Sequence, residues 1–283
     1  MIGAGITPVL GQVYFALVGL CVGSFLNVCI SRWPAGLSVV KPRSRCPKCE
    51  RPISAIENVP VLSWIFLRGK CRGCGLPISV EYPAVELFVG AVWLWSAIQY
   101  GPSFTGLRVA AFASFLIGIA ITDAKHYVIP DGYTITGLVW TLATSVAVLF
   151  IDPVSPYASP FAGPYDALIG ACVGAGAISI VGWLGEASLK KEAMGFGDVT
   201  LMAFVGSALG AGRTLLAIFI GAAIGAVVFL LIVLPLTRIH SESGTESGKL
   251  PLVPFGVFLA PAAFIALFWG NDMIDWYRKF TGL

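Results

Sequence analysis

Four stretches of this chain, 7–30, 133–151, 214–236 and 252–269, contain no charged side chain, and each is close to or above the roughly 20 residues needed to cross a hydrocarbon core. Charged residues make up 12% of the whole, about half the share of an ordinary soluble domain. A water-soluble surface cannot be built from so few charges, so lipid is the expected solvent for most of the chain. In lipid only helices and closed barrels satisfy their own backbone groups. Spans of this length predict an all-α polytopic membrane protein of about eight transmembrane helices, at about 8–31, 83–100, 106–123, 132–151, 166–187, 199–211, 213–236 and 252–270. The first stretch has no Lys or Arg before Arg32, and Val18-Gly19-Leu20-Cys21 lacks the small residue a lipoprotein signal places before its Cys. It therefore reads as a true span and not a cleaved signal.

Charge gives the orientation. Nine of the 18 basic residues fall between Arg32 and Arg72, and such clusters stay in the cytoplasm. The N-terminus is then expected outside, with Lys125, His126, Lys190, Lys191 and the stretch from Arg238 to Lys249 inside. The loops 101–105 and 152–166, which should lie opposite, contain no Lys or Arg. With a net charge of only +3, the bias sets topology and does not suggest nucleic acid. Three segments follow: residues 1–31 as a first transmembrane helix, 32–81 as a polar cytoplasmic loop domain, and 82–283 as the main membrane domain. The sixth span is short for a bilayer and runs directly into Arg213. Glycines at 170, 174, 176, 206, 210, 221 and 225 predict close packing of the fifth to seventh spans. Residues 241–249 read as a flexible linker.

The loop domain carries Cys46-Pro47-Lys48-Cys49 and Cys71-Arg72-Gly73-Cys74, two C-x2-C turns separated by 21 residues. That is the spacing of a four-cysteine zinc ribbon. A loop of this size buries little core, so a metal can supply its folding free energy. Four protein ligands leave no open position, which makes the expected Zn2+ structural. Two disulfides or four free thiols are the alternatives, and a cytoplasmic position disfavours disulfides. Cys21, Cys29 and Cys172 lie in predicted spans and read as packing residues.

Carboxylates at membrane depth are costly and point to function. Asp123 ends the third predicted span and Asp198 begins the sixth, so the predicted topology brings both to one membrane face. Two carboxylates close enough to share a proton supply a general acid and a general base, the chemistry of aspartyl proteolysis. Gly195 and Gly197 beside Asp198 leave room for an extended substrate backbone. Pro130 interrupts the helix after Asp123, and Asp131 reads as a supporting residue. On spacing alone, Asp123 and Asp131 could merely mark span ends and Asp198 could be a helix N-cap. His126, beside Lys125, reads as a solvated topology marker.

Taken in order, Gly23-Ser24-Phe25-Leu26-Asn27-Val28 with Arg32 and Pro34, the tetracysteine loop enclosing Glu57-Asn58-Val59-Pro60-Val61-Leu62-Ser63-Trp64 and Leu67-Arg68-Gly69-Lys70-Cys71, then Tyr82-Pro83-Ala84-Val85-Glu86, Asp123 before Ile129-Pro130-Asp131, and Gly195-Phe196-Gly197-Asp198 resemble the type IV prepilin peptidase family. The resemblance implies Asp123 and Asp198 as catalytic aspartates. It implies two activities at the bacterial inner membrane: cleavage after Gly in the short basic leader of prepilins and pseudopilins, and N-methylation of the new N-terminus with S-adenosylmethionine. The sequence shows no glycine-rich methyltransferase fingerprint, and Glu57, Gly69 and the cysteine loop are where the donor site is expected.

A transporter or channel relaying protons through the membrane-edge carboxylates is the alternative from another class. The spans show neither the internal repeat nor the interrupted helix pair that such proteins carry. A third reading, a peptidase without methylation, is disfavoured by the intact cysteine turns.

Overall fold

The computed structural model describes residues 6–151, 159–190, 194–235 and 254–282. The expected linker 241–249, Lys191 and residues 152–158 of the loop 152–166 lie outside them. Among the described residues the regular elements are helices: α1 (Ile6–Arg32), α2 (Leu62–Phe66), α3 (Glu81–Tyr100), α4 (Phe104–His126), α5 (Asp131–Ile151), α6 (Pro164–Leu189), α7 (Phe196–Leu209), α8 (Ala211–Val228, continued by a π-turn over Phe229–Val233) and α9 (Gly256–Thr281). Six of them, α1, α4, α5, α6, α8 and α9, are long and apolar enough to cross a membrane. The α3 helix carries Glu81, Glu86 and Gln99 among its 20 residues and is less apolar. The α7 helix has only 14 residues. Large side chains such as Phe150, Phe219, Leu231 and Trp183 stand exposed, as a lipid-facing surface requires.

The chain divides into two compact units at Gly118 and Ile119, within α4. In the first unit α1 packs on α3 where small residues remove the barrier between backbones. A Cβ on Gly23 would lie 2.7 Å from the Glu86 Cα, and one on Gly90 would lie 2.7 Å from Leu20 Cδ2. The Asn27 amide donates to the Tyr82 carbonyl at 3.0 Å. The buried Glu86 carboxylate accepts the Val61 N–H at 2.7 Å, tying the loop domain to α3 and giving a buried polar group a partner. After α1 the chain turns through Pro34 and Gly36, whose φ of 67° lies in the left-handed region that glycine adopts freely.

Within the loop domain the two cysteine turns share one internal geometry. In the first, Cys46 N–H donates to Arg51 O, Glu50 N–H to Cys46 O, and Ile53 N–H to Ser44 O; in the second, Cys71 donates to Leu76, Gly75 to Cys71, and Ile78 to Gly69. Each turn closes with one antiparallel bridge, Arg45 with Pro52 and Lys70 with Pro77. The likeness extends to sequence, since both turns end in Pro-Ile-Ser.

In the second unit, α6 and α7 are in backbone contact. Side chains added at Gly170, Gly174 or Gly206 would collide with facing carbonyls or backbone, so these three draw the spans together; Gly176, expected to do the same, has nothing within 4 Å, and Gly221 and Gly225 face Leu259 and Phe258 of α9 instead. Thr141 and Ser207 hydroxyls join α5 to α7. At the opposite end of α7 from Asp198, Arg213 donates to the carbonyls of Leu209 (2.8 Å), Pro160 (2.6 Å) and Leu267 (3.4 Å). One guanidinium therefore holds three segments together.

Candidate functional site

Asp123 lies in the last turn of α4 and is 4% exposed. The helix ends just beyond it, where Tyr127, at φ 54°, donates its N–H to Asp123 O at 2.9 Å. The chain then runs through buried Ile129 and Pro130 into α5. Asp198 lies in the first turn of α7, half-buried, with its N–H on Gly195 O at 3.1 Å. The N-cap of α7 is Gly195, not Asp198. The N-cap position that Asp198 could have filled is thus taken by a residue without a side chain.

Three positions without side chains build this arrangement. A Cβ on Gly197 would lie 2.9 Å from Ile129 Cβ, so the start of α7 closes onto the segment that follows Asp123. At the tip of the Ile129 side chain, a Cβ on Gly256 would lie 2.9 Å from both Ile129 Cδ1 and Asp123 Oδ2. At Gly195 an added Cβ would sit at ordinary contact distance, 3.7 Å from Asp198 Oδ2, which leaves the approach to that carboxylate clear. The Asp123 carboxylate is held by the first turn of α9, where Val257 N–H donates to Oδ2 at 3.2 Å. Gly256 and Val257, which hold this arrangement, were not singled out in the sequence, where the signal was only a glycine within the last apolar stretch; Ile129 stood there as part of Ile129-Pro130-Asp131. Asp131 begins α5 with an exposed side chain, where a carboxylate favours the helix N-terminus.

The four thiol sulfurs of Cys46, Cys49, Cys71 and Cys74 lie within 4.8 Å of one another. Cys46 and Cys74 are 3.8 Å apart, and Cys49 and Cys71 are 4.0 Å apart. These are not disulfide distances. They match the roughly 3.8 Å edges of a tetrahedron with metal–sulfur bonds of about 2.3 Å. Backbone N–H groups of Cys49 and Lys48 point at the Cys46 sulfur and bring its thiol down to about 6. The N–H groups of Cys74 and Gly73 likewise lower Cys71. The second turn thus repeats the first in its electrostatics, and the cluster could bind zinc.

Glu57 sits between the two turns. Its carboxylate accepts Ser54 N–H at 3.1 Å, and the Arg51 guanidinium at 3.1 Å and Arg72 at 3.7 Å flank it. The Ser54 N–H, followed by the Arg51 charge, holds Glu57 below the usual carboxylate range. Gly69 has φ 65°, and a Cβ there would lie 2.9 Å from Trp64 Cζ2. The indole itself is pinned by donating to Ile78 O at 3.1 Å.

Residues 17–100 match the bacterial peptidase A24 N-terminal domain, and residues 110–230 match the type IV leader peptidase family. A protein of Aeromonas hydrophila named prepilin leader peptidase/N-methyltransferase is 34% identical over 93% of this chain and 93% of its own. One of Xanthomonas campestris with the same name is 33% identical over 98% and 97%. A Myxococcus xanthus protein, again so named, is 37% identical over 69% of this chain, a match spanning 55% of that protein. No solved structure matches significantly. With both family domains in order and similarity running nearly end to end, this chain belongs to the type IV leader peptidase family.

Proposed function

We propose that this chain cleaves prepilin or pseudopilin leaders with Asp123 and Asp198 as the catalytic pair, and N-methylates the exposed residue with S-adenosylmethionine as donor. The single observation that carries the peptidase half is the convergence of Asp123, from the end of α4, and Asp198, from the start of α7, around Ile129. Nearby carboxylates resist ionising together, so the pair holds one proton between them. The protonated member donates to the scissile carbonyl oxygen while its ionised neighbour takes a proton from the attacking water. As the tetrahedral diol collapses, the proton gained from water passes to the leaving amine and one diol hydroxyl returns its proton to the carboxylate that had donated one, so the pair again holds a single proton. Gly195 keeps the path to Asp198 clear, Gly197 and Ile129 set the spacing, and Asp131 supports the start of α5. No metal or covalent intermediate is needed.

The orientation follows from charge. The loop domain at 32–81, flanked by the membrane segments 1–31 and 82–283, lies in the cytoplasm, and the chain crosses the inner membrane eight times if α3 and the short α7 count as spans. A substrate keeps its basic leader in water and its apolar segment in lipid, so only the junction enters the site. Zn2+ on Cys46, Cys49, Cys71 and Cys74 is structural and supplies folding free energy to the loop. Glu57 and Gly69 serve the donor site by fixing the loop, through Arg51 and Arg72 in one case and Trp64 in the other.

The test is intact-mass analysis of a prepilin incubated with purified protein and S-adenosylmethionine. The expected product lacks the leader and carries one methyl group, and leader loss survives chelator present during the assay alone. An unprocessed substrate, or cleavage that stops when chelator is added, would overturn this reading.

A further inference from the structure

Two of the sequence motifs take no part in the chemistry above: Val59-Pro60-Val61-Leu62-Ser63-Trp64 in the loop and Tyr82-Pro83-Ala84-Val85-Glu86 at the start of α3. They meet at one strained turn. Val61 has φ 61° and ψ −51°, and Leu62 N–H donates across it to Pro60 O at 2.6 Å. This is a γ-turn of the rare, strained hand, on a β-branched residue that seldom adopts positive φ. Such a backbone persists only where its surroundings over-determine it. Here the buried Glu86 carboxylate does so, by accepting Val61 N–H at 2.7 Å.

The turn lies at the depth of apolar helix. Gly23 of α1, where a Cβ would come within 2.7 Å of Glu86 Cα, stands nine residues before α1 ends at Arg32, about 13 Å along the axis. Asn58 and Pro60 line one cavity with Ser24, Phe25 and Val28 of α1, which lie about 6–12 Å from that end. A headgroup layer is roughly 6 Å thick, so residues 58–61 run beside a part of α1 that reaches into hydrocarbon. From there α2 leads away with Leu62, Ile65 and Phe66 on one face, 53%, 56% and 81% exposed. The Trp64 indole is held by Ile78 O at 3.1 Å. Beside Glu86 on α3, Leu87 and Phe88 are exposed as well. Arg68 and Lys70, both exposed, follow α2 directly.

We infer that α2 is embedded in the inner leaflet of the bilayer, with Leu62, Ile65 and Phe66 against phospholipid acyl chains and Arg68 and Lys70 among the phosphate headgroups. The inference goes beyond cleavage and methylation and requires only that α1 spans the membrane. Irregular backbone at membrane depth is tolerated where protein satisfies it, and the Val61 N–H, ahead of α2, is satisfied by Glu86. An open apolar face is a liability in water and is what an interfacial helix presents to lipid. Cations placed just beyond it match an anionic leaflet surface. The strained turn therefore works as a hook: it aims α2 along the membrane and seats the loop domain on the surface from which a substrate's apolar segment emerges.

The test places p-benzoylphenylalanine at Leu62, at Phe66 or, as a control, at exposed Lys48 in the first cysteine turn. Full-length protein is reconstituted in vesicles of phosphatidylethanolamine and phosphatidylglycerol, irradiated and read by intact mass. Phospholipid adducts are expected at 62 and 66, with none above background at 48. Lipid adducts no more frequent at 62 and 66 than at 48 would overturn the inference, as would adducts to a second copy of the chain in place of lipid. Glu86→Leu removes the acceptor for Val61 N–H and should lower the adduct yield at 66 severalfold, while Glu86→Gln keeps an acceptor oxygen and should retain it. Equal yields in Glu86→Leu and wild type would contradict the hook. The adducts do not depend on leader cleavage or methylation, so failure of those activities in the same vesicles would count against the proposed function and not against the membrane seat.

Discussion

Replacing Gly256 by Ala adds one methyl group where there is no room for it. The new Cβ would sit 2.9 Å from Asp123 Oδ2, 3.3 Å from its Cγ and 2.9 Å from Ile129 Cδ1. Ordinary carbon contacts are about 3.5–4.0 Å, so the carboxylate must retreat by roughly half an ångström or α9 must lift away. Either movement strains the 3.2 Å bond from Val257 N–H and moves one member of the pair relative to the other. Misplacement on the order of 1 Å costs up to about a hundredfold in rate, so leader cleavage should fall about ten- to a hundredfold. Stability should change by much less: overpacking costs about 1–3 kcal/mol, partly offset by the roughly 1 kcal/mol that Ala gains over Gly in a helix. Gly176 is the control, because a Cβ there meets nothing within 4 Å. Gly176→Ala should keep full activity and melt at or slightly above the wild-type temperature. The assay is prepilin cleavage at matched folded concentration, with unfolding followed by thermal melting in detergent. Wild-type cleavage by Gly256→Ala would refute the claim that α9 holds Asp123 in its working position.

Three further outcomes follow from the structure. Elemental analysis should find one zinc per chain in wild type and none in Cys71→Ser. Because thiolates bind the metal, zinc should be held near neutral pH and released as acid protonates the cysteines, and release only above neutral pH would contradict this. Arg213→Met strips three carbonyls of their partner and should destabilise the folded protein by about 2–3 kcal/mol without removing a catalytic group; the melting temperature should fall while cleavage by the remaining folded protein persists. The wild-type cleavage rate should be bell-shaped in pH, since one carboxylate must be ionised and the other protonated, and a flat profile over the acid range would argue against the pair.

Features that depend on local chemistry were legible in the sequence. Uncharged length marked the long helices, C-x2-C spacing marked the tetracysteine cluster, and the rarity of acids in apolar surroundings marked Asp123 and Asp198. Arrangements made by packing between distant segments were not. Val257 is 134 positions from the Asp123 carboxylate it holds, and nothing in its local sequence identifies that partner. Gly256 looked like any glycine within a span, since the requirement for a missing side chain comes from Asp123 and Ile129. Glu57 was visible as an acidic residue in a motif, but its clamp depends on how two separated turns close on each other. The exact number of spans was also hard to read, because α3 and α7 lie at the margins of apolarity and length where a sequence window does not discriminate.

The most direct test of the central claim is prepilin cleavage by Asp123→Asn and Asp198→Asn, each shown by melting to be folded, with products read by intact mass. Asn keeps the shape of Asp but cannot exchange a proton in the required way. Both variants should leave the leader attached, while donor binding measured in parallel stays at the wild-type level. Cleavage at the wild-type rate by either folded variant would show that the two aspartates are not the catalytic pair.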